Sequence, residues 1–138
     1  MEKRNSNKQI PNSKQSLNSN HQKSKQFDLE ERTYNFARRC RVFVEKLPKT
    51  ISNIEDGKQL IRASGSQAAN YIEANEALSK KDFLMRIKIC RKESKESRLW
   101  LKLIKLSDGR SLIKKQKELI QEATELTKIF SAIIAKSK

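Results

Sequence analysis

Only five of the 138 residues, three glycines and two prolines, belong to the kinds that break or sharply turn a regular helix. A sheet protein spends such residues at every hairpin and corner, so their scarcity argues against one. The residues that dominate instead are Lys, Glu, Leu, Ile, Ala, Gln and Arg, mostly good helix formers. The expectation is an all-α fold, and the length suits one domain with a single core.

Periodicity divides the chain into an arm and four helices. Residues 1–26 consist almost wholly of Asn, Ser, Gln and Lys; with so little apolar surface to bury they read as a disordered basic arm, leaving 27–138 as the folded domain. A first helix is expected to open at Asp28, with Glu31 completing a capping pair, and to run to Pro48. Its inward stripe is Leu29, Thr33, Phe36, Cys40, Phe43 and Leu47. A second helix should start near Ser52 or Asn53 and end near Leu78, with Ile54, Gly57, Ile61, Ser64, Ala68, Ile72 and Asn75 inward. The small residues in its middle, Gly57, Ser64, Gly65, Ala68 and Ala69, imply close approach of a neighbouring helix rather than a ligand cleft. Ser79 and Asp82 cap a third helix that runs through Leu106 to the stop Ser107-Asp108-Gly109. A fourth begins near Ser111 and carries Leu112, Gln116, Leu119, Ala123, Leu126, Phe130 and Ile133 on one stripe. Short links between four amphipathic helices predict an antiparallel up-down four-helix bundle.

The formal net charge is +15. The arm holds six cations against Glu2 alone, so about two-thirds of the excess lies in the folded part. A charge of this size implies acidic partners, RNA or DNA first. The third helix concentrates it. At 100° per residue, Phe83, Ile87, Cys90, Ser94, Ser97, Leu101 and Ile104 form the core face, while Lys80, Lys88, Arg91, Lys95, Arg98 and Lys102 form a second stripe with no carboxylate between them. That unrelieved repulsion suggests a partner supplying negative charge. Arg38, Arg39 and Arg41 on the first helix are candidates to extend the patch, and Arg32, Arg39 and Lys46 share one flank. A third stripe, Met85, Ile89, Trp100 and Leu103 with Glu93 and Glu96 nearby, offers more apolar surface than one bundle needs, so it is the candidate subunit contact; a wide core contact inside the bundle is the competing reading.

Catalytic designs are missing from the sequence. It contains no Gly-rich phosphate loop, no Cys-x-x-Cys pair, no His-Glu-x-x-His helix and no histidine outside the arm, where His21 has no ligand-forming neighbours. Glu73, Glu76 and Asp82 cluster at a helix junction but read as solvated or salt-bridged. Cys40 and Cys90 fall on apolar stripes and read as buried, reduced thiols. No apolar run approaches the roughly 18 residues of a membrane span, and no signal peptide is evident. The expectation is a non-enzymatic cytosolic protein with no cofactor, no metal and no membrane partner.

These residues resemble the four-helix-bundle family of 23S rRNA intervening-sequence proteins over roughly residues 27–130. The likeness is carried by Phe36-Ala37, Phe43 and Leu47-Pro48, then Gln59-Leu60-Ile61-Arg62-Ala63-Ser64 and Ala69-Asn70-Tyr71-Ile72-Glu73-Ala74. It continues through Ser79-Lys80-Lys81-Asp82-Phe83, Lys92-Glu93-Ser94-Lys95-Glu96 and Trp100-Leu101. The chain departs from the family pattern in its long arm and at Gly65. The resemblance implies elongated bundles assembled as homopentameric barrels, with no catalytic residues to carry over. A relative, the accessory variability determinant of diversity-generating retroelements, is similar in fold and basic surface and works with a reverse transcriptase and nucleic acid. The resulting expectation is a homo-oligomer that grips RNA or DNA backbone; the alternative is an assembly scaffold that docks an acidic partner protein.

Overall fold

A computed structural model describes the backbone of residues 17–137 and the side chains of residues 29–137. Four helices follow in order, α1 (Leu17–Glu45), α2 (Ile51–Asn75), α3 (Lys80–Leu103) and α4 (Arg110–Lys136). Each packs against its neighbours in sequence, and α4 returns to α1 along the thinnest seam, so α1 and α3 sit on one diagonal and α2 and α4 on the other. The expected antiparallel four-helix bundle is the fold observed.

The first helix begins eleven residues ahead of Asp28, which therefore lies inside it and not at its N-cap. Between Pro11 and Asp28 there is neither glycine nor proline. Once the packed part of α1 exists, each further residue adds one hydrogen bond without paying for a new nucleus. Residues 17–26 of the expected arm thus continue α1, and residues 1–16 lie outside the described residues. All six residues of the expected α1 stripe are buried, with Phe36 and Cys40 fully so.

Helix α2 is rotated by about 100° from its expected orientation, one position earlier at most sites. It buries Asn53, Gly57, Leu60, Ala63, Ser64, Gln67, Tyr71 and Ala74, while Ile54 and Ile72 are 44% and 48% exposed and Asn75 faces solvent. Hydrophobicity alone puts the isoleucines inside. The amides of Asn53 and Gln67 reverse that choice because both find hydrogen-bond partners, Asn53 in the links at the bundle's end and Gln67 through its Nε2 inside the core. Gln67 donates to Ser94 Oγ, which in turn donates to the Cys90 carbonyl at 2.9 Å. The expected close approach does occur: a Cβ added at Gly57 would lie 2.9 Å from Val44 Cγ1, and one at Gly65 3.1 Å from the Arg41 guanidinium. The helix ends at Asn75, short of Leu78, since residues 76–79 are needed to reverse the chain and to place Ser79 in the extended conformation of an N-cap.

Ser79 caps α3 as expected, its hydroxyl accepting from Asp82 N at 3.1 Å. The helix stops at Leu103, three residues before the expected end, because its last carbonyls are taken by side chains from elsewhere. Gln116 Nε2 donates to the carbonyls of Leu101 (2.8 Å) and Ile104 (2.9 Å), and Ile104 turns extended. Gly109, at φ +89°, then serves the start of α4. The expected α4 stripe is buried at Leu119, Ala123, Leu126 and Phe130. At its ends Leu112 and Gln116 are half-buried, and Ile134 replaces Ile133 as the buried residue. Across the second diagonal, Tyr71 and Phe130 bring their rings to 6.2 Å, packing the core toward the C-terminal ends of α2 and α4.

Candidate nucleic-acid interface

Helix α3 presents the basic stripe on the flank that adjoins α4. Its opposite flank is fixed against α2, where Arg86 donates to Asn70 Oδ1 at 2.9 Å and Ser66 Oγ donates to Glu93 at 3.2 Å. Lys80, Lys88, Lys95, Arg98 and Lys102 are exposed and Arg91 is half-buried. Among the described residues none of the six pairs with a carboxylate; the one ion pair on α3, Lys92 with Glu96 at 3.9 Å, lies on a different face.

Helix α4 extends this surface, which reading α3 alone did not reveal. Its carboxylates Glu118, Glu122 and Glu125 turn toward α1, whereas exposed Arg110, Lys117 and Lys128 lie on its outer side and α3 flank. The signal was the same 100° count applied to a second helix, but it becomes informative only once α3 and α4 are known to be neighbours.

The arginines of α1 are not brought to this face. Being diagonal to α3, α1 sends Arg39 toward α4, Arg41 toward α2 and Arg38 outward between them. Arg41 Nη1 donates to the Ala37 carbonyl at 3.1 Å and the guanidinium lies over Gly65, whose missing side chain makes the room. Arg32 is neutralised. Its Nε and Nη2 donate to the two oxygens of Glu122 at 3.0 and 2.7 Å and Nη2 reaches Glu125 at 3.2 Å, an arrangement that raises the guanidinium pKa through the Glu122 hydrogen bond.

The apolar stripe of α3 divides between two roles. Trp100 packs against the bundle's own core, which is the competing reading for that residue, while Met85 and Leu103 remain 49% and 47% exposed and Ile89 is half-buried away from the core cluster. Leu99, 48% exposed beside them, belongs to the same surface. Cys40 and Cys90 are buried, and desolvation pushes both thiols up to about 12, so neither is poised as a nucleophile. No described helix is long and apolar enough to cross a membrane.

A comparison with curated proteins finds no match. A crystal structure of a protein of unknown function from the S23 ribosomal protein family, from Bacteroides thetaiotaomicron, is similar with a TM-score of 0.64 and 27% identity, over 77% of this chain and 97% of that one. The family model of the 23S rRNA-intervening sequence protein matches residues 24–132. With that match spanning all four helices, and the same bundle in the solved relative, the chain belongs to the 23S rRNA-intervening sequence protein family.

Proposed function

We propose that this protein is a non-enzymatic, self-associating bundle that holds RNA or DNA by its phosphate backbone on the α3/α4 face, in the cytosol. The observation that carries the reading is the run Lys80, Lys88, Arg91, Lys95, Arg98 and Lys102, six cations on one helical flank with no carboxylate partner among the described residues. Such a row lowers its own repulsion when phosphates replace the missing counter-charges, and it releases condensed counterions as it does so. Few aromatic side chains are exposed, so base stacking contributes little and sequence preference is weak.

The family membership supports assembly into a homopentamer, with the exposed part of the α3 apolar stripe as a subunit contact. Service beside a nucleic-acid enzyme such as a reverse transcriptase fits a protein that binds backbone without cutting or copying it.

Fluorescence anisotropy with labelled RNA and DNA across a salt series tests the reading. Wild type is expected to bind with a steep negative slope of log K against log salt, and a variant carrying Arg91→Glu, Lys95→Glu and Arg98→Glu, still helical and still assembled, to lose most of its affinity. Absence of binding by wild type at low salt defeats the proposal and turns attention to an acidic protein partner.

A further inference from the structure

The seam between α1 and α4 is closed at one end only. Arg32 clamps Glu122 and Glu125 there, and beyond the clamp the helices part to leave a groove of about 450 Å³. Phe43, Leu119, Leu112 and half-exposed Val42 make its apolar floor, and Arg38, Arg39, Lys46 and Lys115 stand around it. These cations are spread along the groove on both banks, so they suit several carboxylates set along an elongated apolar segment better than the single head group of a small amphiphile.

The chain itself carries such a segment. On the α3 outer face, Ile89, Glu93, Glu96 and Trp100 run in sequence, with Met85, Leu99 and Leu103 exposed around them. Ile89 to Trp100 and Asn35 to Lys46 are the same number of residues apart, about 16 Å of helix in each case. Among the described residues, Glu96 and Lys115 are held only by exposed ion pairs within their own helices, at 3.9 and 3.7 Å, which a better partner readily displaces. In the order α1, α2, α3, α4 around the bundle, this apolar and acidic surface lies on the side opposite the α1/α4 groove.

We infer that the α1/α4 groove of one copy receives the α3 stripe of the next, a head-to-tail contact that pairs Arg38, Arg39, Lys46 and Lys115 with Glu93 and Glu96. The inference rests on the self-association proposed above and assigns the second half of that contact. A contact between opposite sides of the molecule propagates from copy to copy and closes into a ring when the rotation permits. In a closed ring every α3/α4 basic face lies on the same side of the assembly. Neighbouring copies then extend one another's phosphate-binding surface, and a long polyanion engages several at once.

The test is a charge exchange read by light scattering after nuclease treatment and a high-salt wash. One variant carries Arg38→Glu and Arg39→Glu, a second Glu93→Lys and Glu96→Lys, and a third all four changes; circular dichroism checks that each is helical. The inference expects the first two to drop to monomer mass at a concentration where wild type is assembled, and the third to recover an assembly because the complementarity is restored with its signs exchanged. An assembled wild type with either two-site variant still assembled overturns the pairing but not self-association, as does failure of the four-site variant to recover. A monomeric wild type overturns both.

Discussion

Asn53 and Lys105 satisfy each other across the bundle's end: Asn53 Nδ2 donates to the Lys105 carbonyl at 3.0 Å, and Lys105 N donates to Asn53 Oδ1 at 3.1 Å. The same amide also donates to the Pro48 carbonyl at 3.2 Å, so one buried side chain on α2 ties the α1–α2 link to the α3–α4 link. Asn53→Ala strands the carbonyl and the N–H of Lys105, while the Pro48 carbonyl keeps Thr50 N at 3.0 Å, and it leaves a gap. A loss of about 2–4 kcal/mol in unfolding free energy is expected, read as a lower urea midpoint at unchanged slope. A change below about 0.5 kcal/mol would show the latch to be dispensable.

Gly57 should behave against its helix propensity. Alanine in a helix interior is ordinarily worth about 1 kcal/mol over glycine, but here its Cβ would meet Val44 Cγ1 at 2.9 Å, and a branched side chain has few rotamers into which to retreat. Gly57→Ala is expected to destabilise by about 1 kcal/mol, the overpacking cost exceeding the propensity gain. Made on a Val44→Ala background, the same change should stabilise. Additive effects in this double-mutant cycle would mean that the contact carries no strain.

The two thiols set an alkaline limit. Burial holds Cys40 and Cys90 protonated up to about 12, whereas an unfolded thiol titrates near about 8.5. Above that lower value the unfolded chain gives up protons that the folded chain keeps, so this contribution to stability is intact below it and is lost as the pH rises toward 12. Urea midpoints should fall between pH 8 and pH 10. At pH 8, labelling by a thiol reagent should proceed only at the rate of opening; labelling of folded protein at the rate of a free thiol contradicts the burial argument.

On α4, Lys117→Gln and Lys128→Gln should each weaken nucleic-acid binding across all sequences and reduce the magnitude of the salt slope by about 1. Arg32→Gln provides the contrast, because its charge is already spent on Glu122 and Glu125. That change should lower stability by about 1 kcal/mol while leaving the slope where it was. Equal slopes for all three variants and wild type would remove α4 from the interface.

The sequence spoke most plainly where one helix could be read by itself. The stripes of α1, α3 and α4 emerge from spacing because their buried faces are mainly apolar, and the cations of α3 align whatever lies beside them. Helix α2 misleads because Asn53 and Gln67 are buried through hydrogen bonds to residues 52 and 27 positions away, which no count along α2 can register. The early end of α3 was hidden for the same reason, its carbonyls being met by Gln116. Arg38, Arg39 and Arg41 look alike in sequence and part company only when α1 is set diagonal to α3. Arg32 looked free until Glu122 was placed opposite it.

The carboxylate-free cations of α3, with Arg110, Lys117 and Lys128 of α4 beside them, make the bundle electrically lopsided across its width. A polyanion approaching at distances near the Debye length exerts a torque on such a body, turning the α3/α4 side forward before any side chain makes contact. Each encounter then begins in a nearly productive orientation, and the rate of capture gains what a uniformly charged bundle of the same net charge would lose to random collisions.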